Sequence, residues 1–117
     1  NTAVPTDVTG LYDHDDASTT NVLTIGGTFT SLSDVETALE AGGSRQLTAF
    51  KQNDLGDGYL VAYDDGTDTY VAVMEITGTV ANNATYAAGS FKGRAIVKLS
   101  GIDDATDLVA GNFAFIT

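Results

Sequence analysis

Two short, almost continuous apolar runs bounded by turn residues lie in the middle of the chain, Tyr59 to Tyr63 and Thr69 to Ile76. Short apolar runs rich in Val, Tyr and Ile and bounded by turn signals read as strands. Between them lies Asp64-Asp65-Gly66-Thr67-Asp68, with Asp-Gly at its tip, so the pair is expected to form a hairpin. Tyr59, Val61 and Tyr63 would then share one face, with Tyr70, Ala72, Met74 and Ile76 on the same face of the partner strand. Helical spacing occurs at one place. Leu32, Val35 and Leu39 recur at i, i+3 and i+7, Ser33 with Glu36 reads as a capping box, and Gly42-Gly43 is the stop, giving an amphipathic helix over about 32–41.

Further strand signals are Asn21 to Ile25, closed by Gly26-Gly27, then Gln46 to Phe50, Arg94 to Ser100, and Phe113 to Ile116. Residues 77–90 read as a looser Asn/Ala/Thr/Gly connection around Tyr86. The expected fold is mainly β, with six or seven short strands in a sandwich-like arrangement or a mixed sheet, laid against one helix. Residues 1–20, holding Pro5 and His14, form a polar Asp/Thr-rich lead-in that could act as an inserting arm. Residues 21–117 form a single β-rich domain.

Charge narrows the partners. The 117 residues include 16 acidic and 5 basic ones, a net charge of −11. Binding nucleic acid or an anionic membrane surface needs clustered Lys and Arg, so both are disfavoured. No apolar run is long enough to span a membrane. Cysteine is absent, which removes disulfides, thiolate metal sites and Cys nucleophiles. The chain opens on Asn1-Thr2-Ala3 with no initiator Met, and is read as a processed form or a piece of something longer.

Little here points to catalysis. His14 stands alone in an acidic segment, with no nucleophile and orienting acid at recognisable spacing. The paired glycines lack a phosphate-loop pattern and serve as turns. The chemistry that remains is oxygen-rich. Asp54 and Asp57, then Asp64, Asp65 and Asp68, then Asp103, Asp104 and Asp107 form short Asp loops of the residue type that ligates calcium. None has EF-hand spacing, and Asp is equally an ordinary turn residue that bonds its own backbone. The aromatic residues read as core and cross-strand pairs, with a glycan platform as the alternative.

From Thr67 onward the chain resembles the C-terminal modules of bacterial proteins exported by the type I pathway, including RTX-related adhesins and S-layer proteins. The matching pieces are Tyr70 to Met74 after an Asp/Gly/Thr turn, Ile96 to Ile102, the Asp/Thr loop with Leu108, and the ending from Gly111 to Thr117. The nonapeptide calcium repeats of that family are absent. The resemblance implies an uncleaved secretion signal in which Asn112, Phe113, Phe115 and Ile116 are the exposed address. It also implies an extracellular or cell-surface location.

The expected function is a non-catalytic structural or assembly module of a surface layer, fibre or adhesin. It would self-associate through strand edges as a homo-oligomer or with other surface proteins. The alternative is a calcium- or glycan-binding module of a larger secreted protein, with Ca²⁺ as its cofactor.

Overall fold

The computed structural model describes residues 5–9, 12–14, 22–49, 54–109 and 112. Seven strands and one α-helix follow in the order β1 (Pro5–Val8), β2 (Tyr12–His14), β3 (Val22–Thr28), α1 (Leu32–Leu39), β4 (Leu47–Ala49), β5 (Gly58–Asp64), β6 (Thr69–Ile76) and β7 (Phe91–Leu99), with a 3-10 turn at Ala105–Asp107. A five-stranded sheet has the order β1-β3-β5-β6-β7, and β2 pairs with β4 in a two-stranded sheet. The chain is therefore mainly β with one helix, and the main sheet is mixed. β1, β3 and β5 run parallel, whereas β5-β6 and β6-β7 are antiparallel.

The expected hairpin is present, with Tyr63 opposite Tyr70 and Asp64 opposite Thr69. Alternation then sorts the sheet into two faces. Tyr59, Val61, Tyr63, Ala72, Met74 and Ile76 join the main core, with Val35 and Leu39 of α1, Leu47 of β4, and Tyr86 from the long connection packed onto them. The opposite face carries Val22, Ala62 and Val71, covered by Ala105 and Leu108 around the 3-10 turn.

Several sequence expectations shift. The helix ends at Leu39 rather than near 41, with Glu40 as its C-cap. Its N-cap is Ser31, whose hydroxyl accepts the Asp34 N–H at 3.2 Å, so Ser33 and Glu36 are not the capping pair. Both serines have an acid three residues on; Ser31 wins because Leu32 then falls inside the first turn, packed on the core. Strand β3 does not stop at Gly26-Gly27 but runs through them to Thr28, with a register shift between Thr24 and Thr28. Gly27 has φ +88, a left-handed conformation that suits glycine, and Arg45 Nε donates to the Gly26 carbonyl at 3.1 Å. The glycines mark an irregularity within a strand, not its end.

Strand β7 starts three residues earlier than expected, at Phe91. β4 is confined to Leu47–Ala49, and Phe50 lies outside the described residues, as do Phe113 to Ile116. The lead-in contributes two strands to the chain's own sheets, β1 beside β3 and β2 beside β4.

Candidate functional site

Among the described residues, β7 has a neighbour on one side only, so it is an edge strand. It is also the most exposed of the strands whose burial is described. All five residues from Arg94 to Lys98 are open to solvent, where a paired strand with one covered face would alternate. Ile96 is 51% exposed and Val97 41%. Two features create this exposure. The 3-10 segment covers only the Val22–Ala62–Val71 part of its face, so Val73 beside Arg94 stays uncovered at 37%. A register shift opposite Val71 and Ala72 makes Ile96 the extra residue of a bulge, which reverses the facing of the positions after it.

The first half of the β7 edge is closed by the helix. Glu36 Oε2 accepts the Gly93 N–H at 2.7 Å, and one turn later Glu40 Oε2 accepts the Gly89 N–H at 2.8 Å. A Cβ at Gly93 would lie 2.8 Å from Glu36 Oε2 and 2.9 Å from both Leu32 Cδ2 and Met74 Sδ, so a larger residue would displace these side-chain ends, the Glu36 carboxylate among them. Beyond Gly93 no such clamp occurs among the described residues. The free half of β7 therefore begins at Arg94. Sequence reasoning placed Glu36 in a cap and missed this role. A signal existed: Glu36 and Glu40 sit at i, i+4, where like charges repel unless something else engages them.

The β7 strand is unusual in charge as well. Lys92, Arg94 and Lys98 are three of the chain's five basic residues. Lys98 pairs with Asp68 at 3.4 Å, and the hydrogen bond it makes there raises its pKa. Val73, Glu75, Lys92, Gly93 and Arg94 line a shallow groove of about 260 Å³ on the sheet face beside this edge.

The Asp loops are occupied with their own backbone. Asp64 is 4% exposed, and its carboxylate accepts the N–H groups of Gly66 at 3.1 Å and Ala105 at 2.9 Å. Asp65 Oδ1 accepts from Asp68 N–H and Thr67 N–H, and Oδ2 from the Tyr70 hydroxyl. Those backbone bonds, Asp68 first, hold the Asp65 carboxyl below its ordinary range. The same carboxylate pushes the Tyr70 phenol up, after the larger effect of desolvation. Asp68 Oδ1 accepts from Gly101 N–H at 2.9 Å, which brings the hairpin tip against the turn after β7.

Asp104 caps the 3-10 turn through the hydroxyl and N–H of Thr106, the hydroxyl having the larger lowering effect on its pKa. Asp57 receives the Asp54 N–H at 2.8 Å at the far end of the hairpin, beside the start of β5. Asp103 and Asp107 are exposed. The structure thus joins the 64–68 loop to residues 101–105 and leaves the Asp54–Asp57 loop apart. Among the described residues no three metal-ligating side chains gather at one point.

Of the candidate rings, Tyr59, Tyr63, Tyr86 and Phe91 are buried, and Tyr70 stacks on Tyr63 with centroids 5.3 Å apart. In the proposed address, Asn112 is exposed and its Oδ1 accepts the Val109 N–H at 2.8 Å. Phe113, Phe115 and Ile116 lie outside the described residues. No protein-family profile matches the chain, and neither a curated protein nor a solved structure matches it.

Proposed function

We infer that the chain is a non-catalytic structural module that self-associates through the β7 edge, as part of an extracellular surface layer, fibre or adhesin. The observation that carries this reading is the run Arg94 to Lys98, solvent-open on an edge strand and including Ala95, Ile96 and Val97. An edge strand offers a row of backbone donors and acceptors to another strand, and apolar side chains beside that row add burial on pairing. The extracellular setting rests on the resemblance of Thr67 to Thr117 to exported modules and on the cysteine-free acidic composition.

Light scattering of the purified chain over a range of concentration tests the assembly. Particles larger than one chain are expected, and Ile96→Lys should return them to monomers while circular dichroism stays unchanged. A wild-type chain that remains monomeric at every concentration would end this reading. It would leave the lysines and the bulge of β7 as guards against pairing. Removing residues 112–117 tests the setting separately: export should fail in the native host, and unchanged secretion would count against the address.

A further inference from the structure

We propose that the occupant of the free β7 edge is the β1 edge of a second copy, paired in parallel, so that assembly runs head to tail instead of closing as a twofold dimer. This rests on the assembly reading above and specifies its partner and symmetry. Strand direction is the first argument. β1 and β7 are the two ends of the five-stranded sheet. Because β1, β3 and β5 are parallel and two antiparallel steps follow, β7 runs in the same sense as β1. A second copy set beside the first without being flipped therefore brings β7 against β1 as a parallel pair, repeating the way β1 already lies on β3.

Charge is the second argument. A twofold contact would pair β7 with another β7 antiparallel. Centred on Ile96, within the stretch from Arg94 onward, it sets Arg94 against the partner copy's Lys98. Like charges directly opposite one another destabilise a strand pair. The rest of the chain is acidic, with a net charge of −11 despite these cations. On β1 the acid is Asp7, exposed, whose carboxylate accepts the Thr24 hydroxyl of β3. The cations of β7 and Asp7 of β1 are thus at opposite ends of one sheet, an arrangement that suits a heterologous contact.

Available length is the third argument. Glu36 closes the edge at Gly93, and among the described residues, 94–99 carry no such clamp, a length enough to receive the four residues of β1.

The absence of cysteine permits a direct test. Single cysteines are placed at exposed positions, Ile96→Cys on β7 and Thr9→Cys just past β1, and treated with a bismaleimide spanning about 13 Å. That span tolerates a slip of about three residues at ~3.3 Å per residue. The expected result is a cross-linked dimer when the two variants are mixed, and none from Ile96→Cys alone. Raising NaCl from about 0.05 to 0.5 M should weaken wild-type association about tenfold, since screening removes the charge complementarity.

Cross-linking of Ile96→Cys to itself would overturn the head-to-tail contact while leaving edge assembly standing. Association of the wild type with no cross-link in either experiment would also overturn it, by placing the contact elsewhere. A wild-type monomer at low salt would overturn both readings together.

Discussion

The Asp64 carboxylate accepts the N–H of Ala105 at 2.9 Å, across 41 positions of sequence, from a site only 4% exposed. Its second oxygen holds Gly66 at 3.1 Å, so one side chain ties the hairpin loop and the 3-10 turn to the end of β5. Replacing it with Asn keeps the shape but exchanges one acceptor oxygen for a donor. One buried N–H then faces another donor. Asp64→Asn should cost about 1–3 kcal/mol in urea unfolding. An unchanged midpoint would mean that the 3-10 segment is held by packing of Leu108 and Ala105 alone.

The two serines at the helix start make opposite predictions. Ser31→Ala removes the cap on the Asp34 N–H and should cost about 0.5–2 kcal/mol. Ser33→Ala, within the first helical turn, should be neutral or slightly stabilising because Ala is the better helix former. Equal losses at the two positions would contradict the cap assignment.

Acid should loosen the hairpin tip and the 3-10 turn. Asp65 and Asp104 have folded-state pKa values below the ordinary 3.8, Asp65 chiefly through the Asp68 N–H and Asp104 chiefly through the Thr106 hydroxyl. For a carboxyl lowered by folding, the stability it adds is complete above the unfolded value. It is lost as pH falls through the folded one. Unfolding midpoints of the wild type should therefore decline below about pH 4. Asp65→Asn and Asp104→Asn should each flatten that decline, and an unaltered acid profile in both would remove these carboxylates from it.

Glu36→Ala should act on stability and association in opposite directions. It leaves the Gly93 N–H without its charged acceptor, at a cost of about 1.5–3 kcal/mol. It also frees the blocked half of the β7 edge, so association measured by sedimentation should strengthen. Weaker association in a folded variant would show that the helix positions β7 for contact and does not shield it.

The hairpin, its faces and the helix were legible in the sequence because each rests on local pattern. Two apolar runs flank an Asp-Gly turn, and Leu32, Val35 and Leu39 repeat at helical spacing, whatever the rest of the chain does. β1 and β2 were not legible. Three- and four-residue strands in an Asp/Thr-rich segment carry almost no periodicity, and their pairing is decided by β3 and β4. The carboxylates were legible as turn residues, but nothing local says that Asp64 reaches Ala105. Glu36 was misread for a related reason: its partner, Gly93, is 57 positions away.

The mixed sheet also divides the chain in time. β5, β6 and β7 are joined in succession as antiparallel neighbours, while β3 reaches β5 only across α1 and β4, and β1 reaches β3 only across β2. Closing short loops before long ones favours the β5-β6 hairpin, closed by residues 65–68, as the first part to form, with β7 joining across residues 77–90 and β3 across residues 29–57. Pulse-labelled hydrogen exchange should accordingly protect amides of residues 58–76 before those of 22–28, and simultaneous protection would mean that the parallel half nucleates too. In that order β3, made before the hairpin, must wait for it to supply the strand on which β3 docks.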